Sequence, residues 1–259
     1  MKHLVKELLY ATPRLLAETM RLKSNWNRDK YVFLKLLRKG DTVLDVGGNI
    51  GDYCTTFAKT VGPRGHVHTF EPVPPTIERL HAAITRERLG NVTLVPKAAS
   101  NTSGAIEIHM PGDDHARPSI GEHIRESWDA TKPIHTFPCE VTTIDDYCHE
   151  NALARIDFLK IDVEGAEHLV LQGAGQILAT QGPILFFEMW DSYMRDFGTN
   201  AEDFCKLLRT AGYNQFLAVQ DILYHFDDVE SELPRLLQGG ILNLVCMKHA
   251  LHASRIESL

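Results

Sequence analysis

DTVLDVGGNIGDYCTTFA, residues 41–58, runs from an apolar burst through Gly47, Gly48 and Gly51 into a segment of helical period. A strand, a glycine turn and a helix in that order make the first βα unit of an open parallel sheet. At such a turn, backbone amides and a helix N-terminus meet a nucleotide-like ligand. The three glycines lack the side chains that would block close approach. The same texture repeats downstream in HVHTF (66–70), VTLVPKAA (92–99), DFLKIDV (157–163), PILFFEMW (183–190), QFLAV (215–219) and LNLVCMK (242–248). Helix-like stretches begin near Tyr53, Pro75 and Ala166. Near-continuous apolar strands alternating with helices predict an α/β protein, with a mainly parallel sheet covered on both faces.

The chain of 259 residues is long enough for one large domain with additions. Residues 1–39 read as an N-terminal helical extension. Leu4, Leu8, Leu15 and Leu22 mark one amphipathic helix, and Tyr31, Leu34 and Leu37 a second. Packing at the domain edge is the expectation for both, with a substrate lid or a homodimer contact as alternatives. Residues 40–250 form the main domain, interrupted by an insertion over about 104–143, and 251–259 read as a flexible tail. Within the insertion GAIEIHM alternates like an exposed strand, and the remainder is polar and rich in turn formers. His109, His115, His123 and His135 fall in or beside it, as exposed loop residues or in a metal or acceptor-binding role, and Arg117, Arg125 and Trp128 share the loop, as solvated residues or as contacts to a sugar-like acceptor.

The balance of 27 basic against 34 acidic side chains, a formal net of -7, speaks against a nucleic-acid partner bound by phosphate neutralisation. Five scattered cysteines, odd in number and never arranged as CxxC, read as free thiols in a reducing, cytoplasmic setting. No apolar run approaches the length of a membrane span, and the start does not read as a signal peptide.

Three details narrow the ligand over the glycines. No Lys-Ser/Thr pair follows Gly51, which excludes a Walker phosphate loop. The glycine order is not the G-x-G-x-x-G of dinucleotide sites, and Asp45 would repel a pyrophosphate while attracting the ammonium end of S-adenosylmethionine. Glu71 ends the second strand, where a carboxylate accepts hydrogen bonds from adjacent ribose hydroxyls of either NAD or an adenosyl compound.

Together VLDVGGNIGDY, FEPVPPTIERL, VPKAAS, TTIDDY and FLKIDVEGAEHLVLQGA resemble the FkbM family of S-adenosylmethionine-dependent methyltransferases, over about residues 40–190. The resemblance implies a class I, Rossmann-like methyltransferase fold. Its seven-stranded, mostly parallel sheet has helices on both faces and an antiparallel last strand. The implied chemistry is O-methylation; the resemblance does not carry a substrate over, and a small-molecule or carbohydrate-like acceptor is the expectation for this chain. Carried over by position, Asp45, Gly47, Gly48, Asn49, Gly51 and Asp52 line the methionine end of the donor, and Glu71 and Pro72 its ribose. Ala98, Ala99 and Ser100 lie near adenine, and Asp162 beside the methyl. Gly48 departs from the pattern, since another small residue is common there. An NAD-linked oxidoreductase is the rival reading, disfavoured by the glycine order and Asp45. A non-catalytic scaffold has no need of Asp45, Glu71 and Asp162 together.

Strand period places Phe158, Lys160 and Asp162 on one face and Leu159, Ile161 and Val163 on the other. Asp162, Glu164 and Lys160 are the catalytic candidates. Asp162 with Glu188, at the end of the next strand, could hold a magnesium ion. Alternatively one carboxylate is a metal-free base, or Glu164 and Glu167 cap the following helix. His168 reads as a solvated helix residue, with a base or ligand role as the alternative. Trp190 and Tyr193 read either as walls of an acceptor pocket or as core. Methyl transfer asks chiefly for collinear oxygen, carbon and sulfur, so the lack of a Ser-His-Asp set is no objection.

Overall fold

The computed structural model describes residues 10–22, 25–111, 133–238 and 240–259. Eleven strands are formed among them: β1 Thr42–Val46, β2 His66–Phe70, β3 Val92–Val95, β4 Ala98–Ala99, β5 Gly104–Pro111, β6 Ile134–Thr142, β7 Phe158–Ile161, β8 Ile184–Met189, β9 Gln215–Val219, β10 Leu223–Phe226 and β11 Leu242–Met247. The helices that matter below are α1 Pro13–Arg21, α2 Arg28–Leu36, α3 Asp52–Val61, α4 Pro74–Arg86, α5 Ile144–Glu150, α6 Glu167–Gln172, α7 Gly175–Thr180, α8 Asp191–Asp196, α9 Ala201–Thr210, α10 Val229–Leu237 and α11 His249–Ile256.

The main sheet has the order β10-β9-β11-β8-β7-β1-β2-β3. Strands β3, β2, β1, β7 and β8 are parallel, and β11 runs antiparallel between β8 and β9. All seven expected strands form, but the sheet has eight, because the short edge strand β10 pairs antiparallel with β9. Four residues with two polar neighbours carried too little periodicity to be read as a strand. VTLVPKAA divides at Pro96, which has no N–H for a ladder: Val92–Val95 stay in the main sheet, and Ala98–Ala99 join a second one, β4-β6-β5. The described part of the insertion is the antiparallel β5–β6 pair of that small sheet. His115, Arg117, His123, Arg125 and Trp128 lie outside the described residues, as do Leu4 and Leu8.

Alternation along each strand divides the core. Leu44, Leu159, Phe187 and Leu244 face one side, with Val170 and Phe204. Val43, Phe158, Phe186 and Val245 face the other, where α2 and α3 cover them. Helix α2 starts where the Asn27 side chain accepts from Lys30 N, and it buries Tyr31, Val32, Phe33, Leu34 and Leu36. The Phe33 ring meets Phe158 at 5.8 Å and Phe186 at 4.7 Å. This helix therefore lies over the middle of a sheet face, not at the domain edge.

The tail corrects its expectation too. Residues 249–256 are helical, and Arg255 donates to both carboxylate oxygens of Asp41 (2.5 and 2.9 Å) and to Leu36 O (3.1 Å). Asp41 is buried, and a buried carboxylate demands a partner, here the guanidinium of α11. Its burial is a tertiary fact that no local pattern announces.

Candidate active site

The glycine turn is tight because it is clasped from two sides. Gly47 N and Gly48 N both donate to Phe70 O at the end of β2 (3.1 and 2.8 Å). A Cβ on Gly47 would lie 1.9 Å from Asp162 O, and one on Gly48 2.0 Å from Thr69 Oγ1. Gly47 and Gly51 also hold φ of +80 and +90°, open to glycine at no steric cost. Gly48 is thus fixed by contact with Thr69, and another small residue in its place would have to displace that side chain.

Beneath the turn lies a buried ionic group. Asp45 Oδ2 accepts from Thr69 Oγ1 at 3.0 Å. Its Oδ1 lies 3.4 Å from Lys160 Nζ yet receives no hydrogen bond among the described residues. Burial pushes the Asp45 carboxyl up, and the Lys160 charge opposes this. Lys160 donates to Gly47 O (2.7 Å) and Val46 O (3.3 Å) and stands 3.5 Å from Asp162 Oδ2. Its ammonium is therefore consumed in holding turn and strand together. Of the three, Asp162 reaches the open edge, with 36% of its side chain exposed against 2% for Lys160 and 0% for Asp45.

At the tip of β2, Glu71 Oε2 accepts from Asn49 N and Oε1 from Val73 N, both at 3.0 Å. Each oxygen keeps a second acceptor direction. Burial pushes this carboxyl up to about 7, against the pull of the two amides. Beside it Val73, Ile108, Met110 and Cys139 make an apolar cluster with Ala98, and Cys139 Sγ donates to Pro72 O at 3.3 Å. Ala99 is buried in the main core, and Ser100 N donates to Thr142 O. Asp52 points elsewhere, exposed and paired with Lys30 at 2.7 Å.

One layer above the aromatic core the same sheet face turns polar. Glu188 lies two residues beyond Phe186, Asn243 is its register partner on β11, and Asp162 lies beside them. Asp29 stands one turn before Phe33 on α2. About 6 Å of helix rise matches two strand residues, so Asp29 reaches the level of this row. It accepts from Tyr53 Oη at 2.7 Å and from Asn243 Nδ2 at 3.1 Å. Burial raises the Asp29 carboxyl while those two bonds lower it. Burial, then the charges of Asp162 and Asp29, push Glu188 up to about 7. Asp29, Tyr53, Asn243, Thr69 and Cys139 escaped the sequence reading. The signal for Asp29 was an acid one turn from Phe33 on a helix otherwise apolar on that side.

The turn after Asp162 is strained. Glu164 has φ of 57°, in the left-handed region that a non-glycine residue adopts only under constraint. Glu167 Oε1 accepts from Val163 N (2.9 Å) and Gly165 N (3.3 Å), so this buried acid ties the turn at the start of α6. His168 rests against the Phe204 ring at 5.1 Å, and burial lowers its pKa. The Trp190 and Tyr193 rings lie 4.0 Å apart just past Glu188. Among the described residues no three His, Cys, Asp or Glu side chains are placed to hold one metal ion, so nothing beyond the Asp162–Glu188 pair supports the magnesium reading.

The buried carboxylate Asp45 beneath the glycine turn and Glu71 at the tip of β2 thus stand at the ends of adjacent parallel strands. A family profile described as the methyltransferase FkbM domain matches residues 45–214. The chain belongs to the FkbM methyltransferase family. It is 27% identical over 229 residues to the 2-O-methyltransferase NoeI of Sinorhizobium fredii, covering 81% of this chain and 82% of that one. It is 30% identical over 162 residues to the 31-O-demethyl-FK506 methyltransferase FkbM of Streptomyces tacrolimicus, covering 53% and 60%. The crystal structure of a methyltransferase FkbM from Methylobacillus flagellatus KT aligns with a TM-score of 0.49 at 16% identity, over 82% of this chain and 45% of that one. This FkbM-family enzyme is an S-adenosylmethionine-dependent methyltransferase. No helix among the described residues is long and apolar enough to cross a membrane.

Proposed function

We propose that the enzyme methylates a hydroxyl of a small, carbohydrate-like acceptor, with Glu188 as the base. The observation that carries this reading is the state of Glu188: half-buried at the strand end beside Asp162, with no hydrogen bond to its carboxylate among the described residues. A carboxylate held near pH 7 and not committed to the fold suits a general base at neutral pH. Trp190, two residues on and part-exposed, offers an aromatic face for the apolar side of a sugar ring, and the buried Tyr193 ring backs it at 4.0 Å. The named activities of the two relatives, both on oxygen, support a hydroxyl over an amine.

Bound S-adenosylmethionine supplies an electrophilic methyl on a sulfonium sulfur. Glu71 accepts from the two ribose hydroxyls, and the Val73 and Ala98 cluster takes the base. Lys160 acts as a positioning residue, fixing Gly47 O and Asp162 where the methionine ammonium arrives. Glu188 would take the proton of the acceptor hydroxyl, leaving the oxygen free to receive the methyl as the carbon–sulfur bond breaks and the sulfur leaves as a neutral thioether. Glu164 shapes the turn without touching the reacting atoms. The five cysteines are free and buried, which supports a reducing, cytoplasmic setting.

The reading is tested by incubating the protein with methyl-labelled donor and a panel of mono- and disaccharides, polyols and amino sugars, and locating the label by mass spectrometry. Glu188→Gln is expected to lower turnover by about 10²-fold or more while S-adenosylhomocysteine binds as before. Wild-type turnover should rise with pH through about 7 as Glu188 ionises. Label on nitrogen alone, or full activity of the variant, rejects the assignment.

A further inference from the structure

The upper polar row carries more negative charge than the fold neutralises. Asp162, Glu188 and Asp29 converge on it from β7, β8 and α2, and the cation among them is Lys160. That ammonium is already engaged by Gly47 O, Val46 O and Asp45. Even so, Asp45 Oδ1 remains buried without a hydrogen-bond donor. Asp45 Oδ1 has the Lys160 ammonium at 3.4 Å as its charge partner, so among the described residues this one lysine serves Asp45 as well as the row above it.

Asp29 is not there for its own helix. Asn27 caps α2 through Lys30 N, and the Asp29 oxygens go to two other elements, Tyr53 on α3 and Asn243 on β11. Two uncharged donors fix the carboxylate in place without neutralising it. Through Asn243, the register partner of Glu188, it joins the row at which the proposed function places the methyl, where donor and product differ, since the donor carries a sulfonium cation and the product a neutral thioether. An anion within about 8 Å in a medium of effective dielectric about 20 favours the first over the second by roughly tenfold or more.

We propose that Asp29 is a specificity-determining residue that biases the site towards the sulfonium donor over its thioether product. Helix α2 would then help to set how readily product gives way to fresh donor. The inference rests on the reading of this crevice as the S-adenosylmethionine site.

The test is calorimetric titration of S-adenosylmethionine and S-adenosylhomocysteine into wild type, Asp29→Asn and Tyr53→Phe at pH 8. Asp29→Asn should weaken the donor about tenfold and the product less than about twofold. Tyr53→Phe keeps the charge and should leave the ratio of the two affinities at its wild-type value. Should the isosteric variant fold poorly, Asp29→Ser removes the same charge with a small side chain and must shift the ratio in the same direction. Equal weakening of both ligands, or no change, assigns Asp29 to the fold alone and overturns the proposal. Wild type binding neither ligand overturns instead the donor reading on which it rests.

Discussion

At the lower edge of the main sheet Asp41 and Asp157 meet Arg155 and Arg255, while at the upper edge Asp29, Asp45, Asp162 and Glu188 share one lysine. Both groups sit at strand ends and both are substantially buried, yet one is closed and the other open. The lower network joins β1, the loop before β7 and α11, far in sequence, and every charge in it has an opposite. Its product is cohesion. The upper group leaves a surplus that, on the proposed function, is met by a ligand bearing an ammonium and a sulfonium. Carboxylates of one fold thus divide into those that the chain itself neutralises and those that wait for a substrate to do so.

The most severe way to break this contrast is to open the closed edge. Arg255→Ala leaves buried Asp41 with the exposed Arg155 at 3.4 Å as its charge partner among the described residues, beside the Arg38 amide at 2.8 Å. Removing one partner of a buried pair costs about 3–5 kcal/mol. The expected outcome in urea denaturation is a loss of that size, with S-adenosylhomocysteine affinity unchanged in the folded fraction. A variant as stable as wild type would show the tail helix to be dispensable.

The reciprocal change at the open edge should do the opposite. Glu71→Ala removes two charge-assisted acceptors from the ribose and is expected to weaken S-adenosylhomocysteine by about a hundredfold. Melting should move less than with Arg255→Ala, because Glu71 gives up two backbone amides and leaves no buried charge without its opposite. An unchanged dissociation constant removes Glu71 from the nucleoside site.

The same contrast explains what the sequence made legible. The glycine turn, Glu71 and the Asp162 segment are local signatures: strand, turn and acid follow within a few residues, and backbone sterics dictate their order. Seven strands announced themselves because strands buried on both faces must be apolar throughout. Asp29 and Asn243 meet across 214 positions, and Arg255 reaches Asp41 across as many. No period encodes such pairings, only the tertiary demand that a buried charge find a partner. Lys160 was legible in place but not in role. Strand alternation put it beside Asp162, and only the structure shows its ammonium spent on Gly47 O.

The smallest predicted effect probes a residue that belongs to both categories. Glu167 is a buried acid at the open edge, but it serves the fold by accepting from Val163 N and Gly165 N. Burial raises its carboxyl from 4.5 to about 7, against the pull of those amides. A carboxyl whose folded pKa is raised binds its proton more tightly in the native state. Its contribution to stability is therefore full below about pH 4.5 and is lost as the pH rises through about 7. Glu167→Gln keeps a carbonyl oxygen for both amides and has no charge to desolvate. Relative to wild type it should gain about 2 kcal/mol between pH 5 and pH 8, read from denaturation curves at the two values. A constant difference across that range would mean that the turn admits enough water to solvate the ionised acid, placing Glu167 with the ligand-facing carboxylates.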